Sequence, residues 1–339
     1  MSNNGITRIA DDIVQVQIPL PYVLNIVNCY LLRGAEGWTL VDTGLNTAAA
    51  RSQWKSALWT LGIKPADIKK IVLTHMHPDH YGMAGWWQRL TESPIPLTIP
   101  EREQRQMRVF YERRNTPLYH QWLLDCGMDE ASVENLEGAL YSTRDLTQPH
   151  PLEQDFLPPD MTIRLGAREF RAIHAPGHSD GQMIFYDAAD RLMICGDHVL
   201  MRITPNIGVW PHTEPDPLGR FLDSLNELAL LDVRLALPGH KWLITDWRGR
   251  IEELIAHHHA RLEATQEALA DGARTALEVA AQLFDLERLT PHEWRFALAE
   301  TLAHLEYLRE QGRASRSNRG GTGATEWTAP ASQPSKMDS

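Results

Sequence analysis

Cysteine is scarce in this 339-residue chain: Cys29, Cys126 and Cys195 are the three present, and no two of them form a Cys-x-x-Cys pair. Neither a disulfide framework nor a thiolate zinc site follows from so few. Long hydrophobic runs are also missing; nothing approaches the roughly 18 apolar residues that would span a bilayer. Basic residues are outnumbered, 33 Lys and Arg against 44 Asp and Glu, for a formal net charge of -11. That acidity disfavours general nucleic-acid binding, although it is compatible with a local basic patch. Met1 to Gly5 carry no basic and apolar leader, so no signal peptide is expected and the chain reads as cytoplasmic. The hydrophobic share, 43%, is ordinary and can fill one large core or two moderate ones.

What the chain does have is a local wealth of histidine. Thr74-His75-Met76-His77-Pro78-Asp79-His80-Tyr81-Gly82 offers three imidazoles and a carboxylate within six residues. It follows Ile71-Val72-Leu73, an apolar, β-branched run of the kind that makes a buried strand. Pro78 breaks any helix through the middle, so His75 and His77 should lie on the strand-end loop, with a helix over Asp79–Leu90. Packing explains such a cluster poorly. Each imidazole would need a hydrogen-bond partner, and as imidazolium ions they would repel one another, whereas a divalent metal resolves both difficulties. Three later motifs each set one donor beside a glycine: Pro176-Gly177-His178, Cys195-Gly196-Asp197-His198 and Pro238-Gly239-His240. Glycine lets the backbone bend sharply enough to aim such a side chain. His75, His77, Asp79, His80, His178, Asp197 and His240 thus supply about the seven donors that two metals need when they share a carboxylate and keep one water position.

In this order, His-x-His-x-Asp-His followed by a lone His, a lone Asp and a lone His, the chain resembles the metallo-β-lactamase-fold hydrolases from about Ile13 to Asp246. The resemblance implies an α/β fold, the αββα sandwich of that family. It also implies one metal on His75, His77 and His178, a second on Asp79, His80 and His240, and Asp197 as the bridge. With nitrogen and oxygen donors only, two zinc ions are expected, iron or manganese being the alternatives. The implied chemistry is a zinc-bridged hydroxide attacking a carbonyl or phosphoryl centre, with Asp79 as a catalytic group that orients the nucleophile and passes a proton. Asp42, in Asp42-Thr43-Gly44, is placed by the resemblance behind the metal site; its alternative is a turn residue satisfying nearby N–H groups. Thr74 and His198 are further supporting candidates, and His198 either contacts substrate or stands behind the ligands.

Around these motifs the chain reads as two runs of strands with helices between. Strands are expected at Ile13–Ile18, Cys29–Leu32, Trp38–Val41, Met161–Leu165, Phe170–Ile173, Met183–Tyr186, Leu192–Cys195 and Arg234–Leu237. Helices are expected over Thr47–Leu61, closed by Gly62, and over Leu218–Leu231. The pattern suggests two sheets back to back with the ligands along one edge. Residues 1–247 form the expected catalytic domain, with a helical insertion at about 100–159 read as a lid giving the cleft an apolar wall. From Arg248 to Gly312 the chain reads as helix only, a separate domain with capping boxes at Thr275 to Glu278 and Thr290 to Glu293. Its layout resembles the winged-helix-like appendage of lactamase-beta-like 2 type proteins. Acidic residues dilute its arginines, so packing or homodimerisation is preferred to nucleic-acid binding. His257, His258 and His259 point different ways on a helix, so at least one should pack while the others are solvated. Residues 313–339, rich in Ser, Gly, Thr and Pro, are expected to be disordered.

Two classes of reaction remain open. Acidity, the apolar insertion and the lack of a basic groove favour hydrolysis of a small ester, thioester or lactone. The alternative is a metal-dependent ribonuclease or phosphodiesterase, as the lactamase-beta-like 2 resemblance implies. An iron oxygenase of the flavodiiron kind is set aside, since that group usually carries Glu where this chain has His77. No membrane partner is expected.

Overall fold

The computed structural model describes residues 5–112, 116–318 and 323–330. The described residues divide into two compact units, one within Met1–Arg113, Leu140–Pro205 and Arg220–Leu254, the other within Arg114–Ala139, Asn206–Gly219 and Ile255–Ser339. The chain opens with β1 (Ile6–Ala10), β2 (Ile13–Pro19), β3 (Ile26–Arg33), β4 (Trp38–Val41), α1 (Ala48–Leu61) and β5 (Ile68–Val72). Then come α2 (Pro78–Tyr81), α3 (Ala84–Gln88), β6 (Leu97–Pro100), α4 (Glu103–Tyr111), α5 (Thr116–Asp125), α6 (Glu130–Asp145) and β7 (Asp155–Leu157). The second run of strands is β8 (Thr162–Leu165), β9 (Arg168–His174), β10 (Met183–Asp187) and β11 (Leu192–Gly196), then α7 (Pro217–Leu228) and β12 (Leu235–Pro238). The rest is α8 (Trp247–Glu267), β13 (Arg274–Thr275), α9 (Ala276–Leu283), α10 (Pro291–Glu310), β14 (Ser315–Asn318) and β15 (Thr325–Thr328).

In the first unit, β1 to β7 form one sheet in chain order, antiparallel as far as β4 and parallel beyond it. A second sheet runs β12-β11-β10-β9-β8. Strand alternation sends Tyr30, Leu32, Val41 and Val72 of the first sheet against Phe170, Phe185, Ile194 and Leu237 of the second. The alternate residues Leu31, Leu40 and Ile71 face the other way, toward Trp54 of α1 and Trp87 of α3, whose rings meet edge-on at 5.0 Å. The first unit is therefore a mixed α/β sandwich of sheets and helices. Helix α1 starts where Thr47 caps it through the Ala50 N–H and stops at Gly62, whose φ of 67° suits glycine.

Four expectations need correction. The helix over Asp79–Leu90 is two short pieces, α2 and α3, because the Met83 N–H turns away to the Gly44 carbonyl at 2.9 Å. Strands β1, β6 and β7 were not foreseen; the last two are short and lie next to proline or in a polar stretch. The segment from Arg248 to Gly312, expected to be helix only, carries β13, which joins β14 and β15 of the following stretch in a sheet of order β13-β15-β14. Nor is 313–339 disordered throughout: Ser315–Asn318 pairs with Thr325–Thr328, and Trp327 is buried, so one tryptophan anchors a stretch whose composition is otherwise polar. Residues 319–322 and 331–339 of that expectation lie outside the described residues.

In the second unit, α9 and α10 begin with the expected capping boxes. Its sheet closes the order α8, β13, α9, α10, β14, β15. Of the three consecutive histidines on α8, His258 is buried, His257 half-buried and His259 exposed, as their spacing on a helix requires. His258 Nδ1 lies 3.2 Å from His304 Nε2, and His304 Nδ1 donates to the Glu300 carbonyl at 2.7 Å. Burial pushes His304 down to about 4 and His258 down to about 3. The unfolded chain binds protons at these positions below pH 6.5 while the folded chain does not, so their stabilisation is complete above pH 6.5 and lost as pH falls through 4. For His304 alone this is about 3 kcal/mol. Thermal melts between pH 7.5 and pH 4.5 should show a steeper loss for the native chain than for His304→Phe; parallel curves would contradict this. No helix among the described residues is long and apolar enough to cross a membrane.

Candidate metal centre

Strand β5 delivers the first ligand motif. After Val72 the chain leaves the sheet through Thr74 to His77, and Pro78 opens α2, which turns Asp79 and His80 back over the sheet edge. Strand β4 ends beside it at Asp42, whose φ of 58° is in the left-handed region that Asp tolerates better than most residues. From there the buried carboxylate accepts three hydrogen bonds: from Thr74 N and from Thr74 Oγ1, each at 2.8 Å, and from His80 Nδ1 at 2.8 Å. Thr74 Oγ1 in turn accepts from His75 Nδ1 at 2.9 Å. Each of these bonds fixes one ring nitrogen and leaves the other, Nε2, aimed outward. His240, after β12, is fixed the same way, with Nδ1 2.6 Å from the Ile26 carbonyl.

The seven candidate ligands meet in two groups, His75, His77 and His178 in one and Asp79, His80, Asp197 and His240 in the other, with one donor atom from each within 4.8 Å of the rest of its group. Asp197, after β11, reaches both. Its Oδ2 is 3.1 Å from His240 Nε2 and 3.6 Å from His178 Nε2, and its Oδ1 is 3.4 Å from His80 Nε2. Asp79 Oδ2 is 3.2 Å from His240 Nε2, and His77 Nδ1 faces His178 Nε2 at 2.8 Å. Gly239 makes room for this: a Cβ there would lie 2.2 Å from Asp197 Oδ1 and 2.7 Å from His80 Cε1.

The donor set fits a metal. His75 Nε2, His80 Nε2, His240 Nε2 and Asp197 Oδ1 are all buried and make no well-formed hydrogen bond, His80 and His240 having only the nearby carboxylates as ion-pair partners. Four such atoms side by side would be costly unless something else satisfied them. Burial, reinforced by the other imidazoles, holds His75 well below the usual histidine range, and burial with His178 pushes His77 down to about 3, so both are neutral donors. Burial works against charge on His240 as well, but the carboxylates of Asp197 and Asp79 overcome it and hold this ring up at about 9. A cation entering the second group would displace that proton.

Asp42 and Thr74 stand behind the ligands. His198 does not reach the cleft: it is buried, its Nε2 lies 2.9 Å from Ser224 Oγ, and its ring packs on Phe221 at 4.9 Å. Two contributors escaped the sequence reading. Glu103, the first residue of α4, is fully buried and accepts from Gly181 N at 2.8 Å, from Met76 N at 3.3 Å and from Ser179 Oγ. Burial pushes its carboxyl up to about 7. Tyr111 donates to the Met76 carbonyl at 2.7 Å. Glu103 is one acid in a charged helix and carries no local signal; Tyr111 could have been suspected from its place in the Met107, Phe110, Tyr111 face.

Comparison with known proteins identifies the family. Residues 22–240 match the metallo-beta-lactamase superfamily, and residues 262–327 match the metallo-beta-lactamase-like C-terminal domain. The crystal structure of a metallo-beta-lactamase family protein from Thermus thermophilus, TTHA1429, is 38% identical, covers 95% of this chain and all of its own (100%), and superposes with a TM-score of 0.84. A beta-lactamase domain protein from Burkholderia ambifaria is 28% identical over 97% of this chain and 95% of its own, with a TM-score of 0.86. The curated "Probable metallo-hydrolase YqjP" of Bacillus subtilis (strain 168) is 27% identical over 89% of this chain and 93% of its own. With the fold, the ordered histidines and aspartates and a family match over most of the chain, this protein belongs to the metallo-beta-lactamase superfamily and is a metallo-hydrolase of that superfamily.

Proposed function

We propose that this chain is a dinuclear zinc hydrolase that cleaves a small ester, thioester or lactone. The observation that carries the reading is the convergence of four buried ligand atoms without well-formed hydrogen bonds, His75 Nε2, His80 Nε2, His240 Nε2 and Asp197 Oδ1. His75, His77 and His178 would hold one ion and Asp79, His80 and His240 the other, with Asp197 shared. Donors that are all nitrogen or oxygen suit zinc. Two such ions lower the pKa of a water from near 16 to about 7 and polarise the bond under attack.

The chain's own groups do the rest. Asp79 has the most open ligand carboxylate, 22% exposed against 8% for Asp197, so it faces the cleft. From there it orients the attacking water and carries its proton to the leaving group. Asp42, Thr74 and the Ile26 carbonyl keep the imidazoles from turning. A cavity of about 250 Å³ is lined by Tyr81, which follows His80 in the chain, and by Met107, Tyr111 and His150 among others. Its size and its mixed aromatic and polar wall suit a small acyl compound. The net charge of -11 supports a small-molecule substrate over nucleic acid. For the C-terminal unit, the order α8, β13, α9, α10, β14, β15 supports a winged-helix-like module, and the acidic residues among its arginines favour packing or homodimerisation over nucleic-acid binding.

The test is metal analysis of the loaded protein followed by turnover of ester, thioester, lactone and phosphodiester substrates. Close to two zinc ions per chain and turnover confined to acyl compounds are expected. One ion per chain overturns the dinuclear centre, a preference for iron or manganese overturns zinc, and phosphodiester turnover alone overturns the acyl class.

A further inference from the structure

We propose that Glu103 is a positioning residue for the His75, His77 and His178 group alone, its buried carboxylate holding together the two loops that carry those histidines. The inference rests on the metal-centre reading above. All three hydrogen bonds to Glu103 come from these loops: Met76 N–H sits between His75 and His77, and Ser179 Oγ and Gly181 N–H follow His178. On the far side of that junction His77 Nδ1 and His178 Nε2 approach to 2.8 Å. Glu103 thus ties the loops from behind, where the imidazoles meet in front.

The ligands of the other group have different anchors. His80 is turned by Asp42 and His240 by the Ile26 carbonyl. Asp42 serves both groups, His80 directly and His75 through Thr74 Oγ1, whereas the hydrogen bonds to Glu103 all come from the loops that carry the first group.

Packing alone does not account for a carboxylate in this position. Glu103 is fully buried, and among the described residues it has no Lys, Arg or His within ion-pair distance. A buried acid without a cation is costly to keep unless its acceptor oxygens are used. All three partners here donate, so only a group that accepts at both ends satisfies them. Glutamine, almost the same shape, would turn its NH2 against either the Met76 N–H or the Ser179 and Gly181 donors. The close approach of the two segments has no slack to absorb this, since a Cβ on Gly181 would lie 2.4 Å from Glu103 N.

The test is a zinc titration of the metal-free full-length protein against a chromophoric chelator, which resolves two binding steps. Glu103→Gln should weaken one step at least about tenfold, the usual scale for groups that orient ligands, and leave the other within about twofold. In a His240→Ala background the same substitution should keep its tenfold effect; in a His178→Ala background it should add nothing. In the cobalt(II)-loaded His240→Ala protein it should also shift the visible ligand-field bands. Equal weakening of both steps, no weakening, or a full effect in the His178→Ala background overturns the proposal. If Glu103→Gln does not fold, Ser179→Ala, which removes one donor only, is expected to weaken the same single step more mildly, and no effect or an effect on both steps overturns the proposal equally. A wild-type chain that binds no zinc would overturn the metal-centre reading, and this proposal with it, whereas a wild type with two zinc steps and the wrong Glu103→Gln pattern overturns the proposal alone.

Discussion

Asp197→Asn should lose the second metal first and slow turnover by about a hundredfold or more, on the order of 3 kcal/mol in barrier. Asp197 lies within 3.6 Å of ligands from both groups, with Oδ2 turned to His240 and His178 and Oδ1 to His80. Burial would raise its carboxyl, but the imidazoles of His240 and His80 outweigh that and hold it well below the usual carboxylate range, so it is an anion in the folded chain. Asparagine keeps the shape, removes the charge and must turn an NH2 toward one side of the pair. The group of Asp79, His80 and His240 has two imidazoles where the other has three, so it depends more on the shared carboxylate. The fold should survive, because β11 is held by Leu192 and Ile194 in the core between the sheets. Metal content and steady-state rates check this together; both ions retained with near-full turnover would remove Asp197 from the bridge.

Gly239→Ala should be nearly as damaging, by a steric route that replaces none of the ligand residues. The added methyl would stand 2.2 Å from Asp197 Oδ1 and 2.7 Å from His80 Cε1, well inside van der Waals contact. The backbone cannot yield easily, since Gly239 N–H donates to the Gly196 carbonyl at 2.7 Å and its own carbonyl accepts from Asn28 N at 2.6 Å. The side chains must move instead, and both are ligands. Zinc affinity at the second group should fall by about ten- to a hundredfold and turnover with it. Stability should change by only about 1–3 kcal/mol, the usual cost of one extra methyl in a packed site. A chelator competition and a thermal melt separate the two effects; native affinity and turnover in the variant would show that the site has more room than the structure gives it.

The parts of this molecule legible in the sequence are those where one short stretch carries the whole signal. Thr47 and Gly62 mark the ends of α1, alternation marks β2, and glycine beside His178, Asp197 and His240 marks the turns that aim them. What stayed hidden depends on partners far away in the chain. Glu103 sits among Glu101, Arg102 and Arg105 with nothing to distinguish it until Ser179, 76 positions on, is brought to its side. The break between α2 and α3 falls at Gly82 and Met83, where the Met83 N–H turns to the Gly44 carbonyl, a partner far back in the chain. Trp327 reads as a lone aromatic in a polar tail until the pairing of β14 and β15 buries it. His198 could be assigned to substrate or scaffold equally well from its place after Asp197, and only its bond to Ser224 turns it inward.

Each ligand group draws on both sheets. His75, His77, Asp79 and His80 follow β5 of the seven-stranded sheet, while His178, Asp197 and His240 follow β9, β11 and β12 of the five-stranded one. An ion in either group is therefore a rivet through the open edge of the sandwich, and the unfolded chain, with its donors spread over 166 positions, offers nothing comparable. Ligands that bind only the native state deepen its well in proportion to the logarithm of their free concentration. The lifetime of this protein against proteases should then follow the metal supply of its surroundings, the empty chain being cut faster than the loaded one.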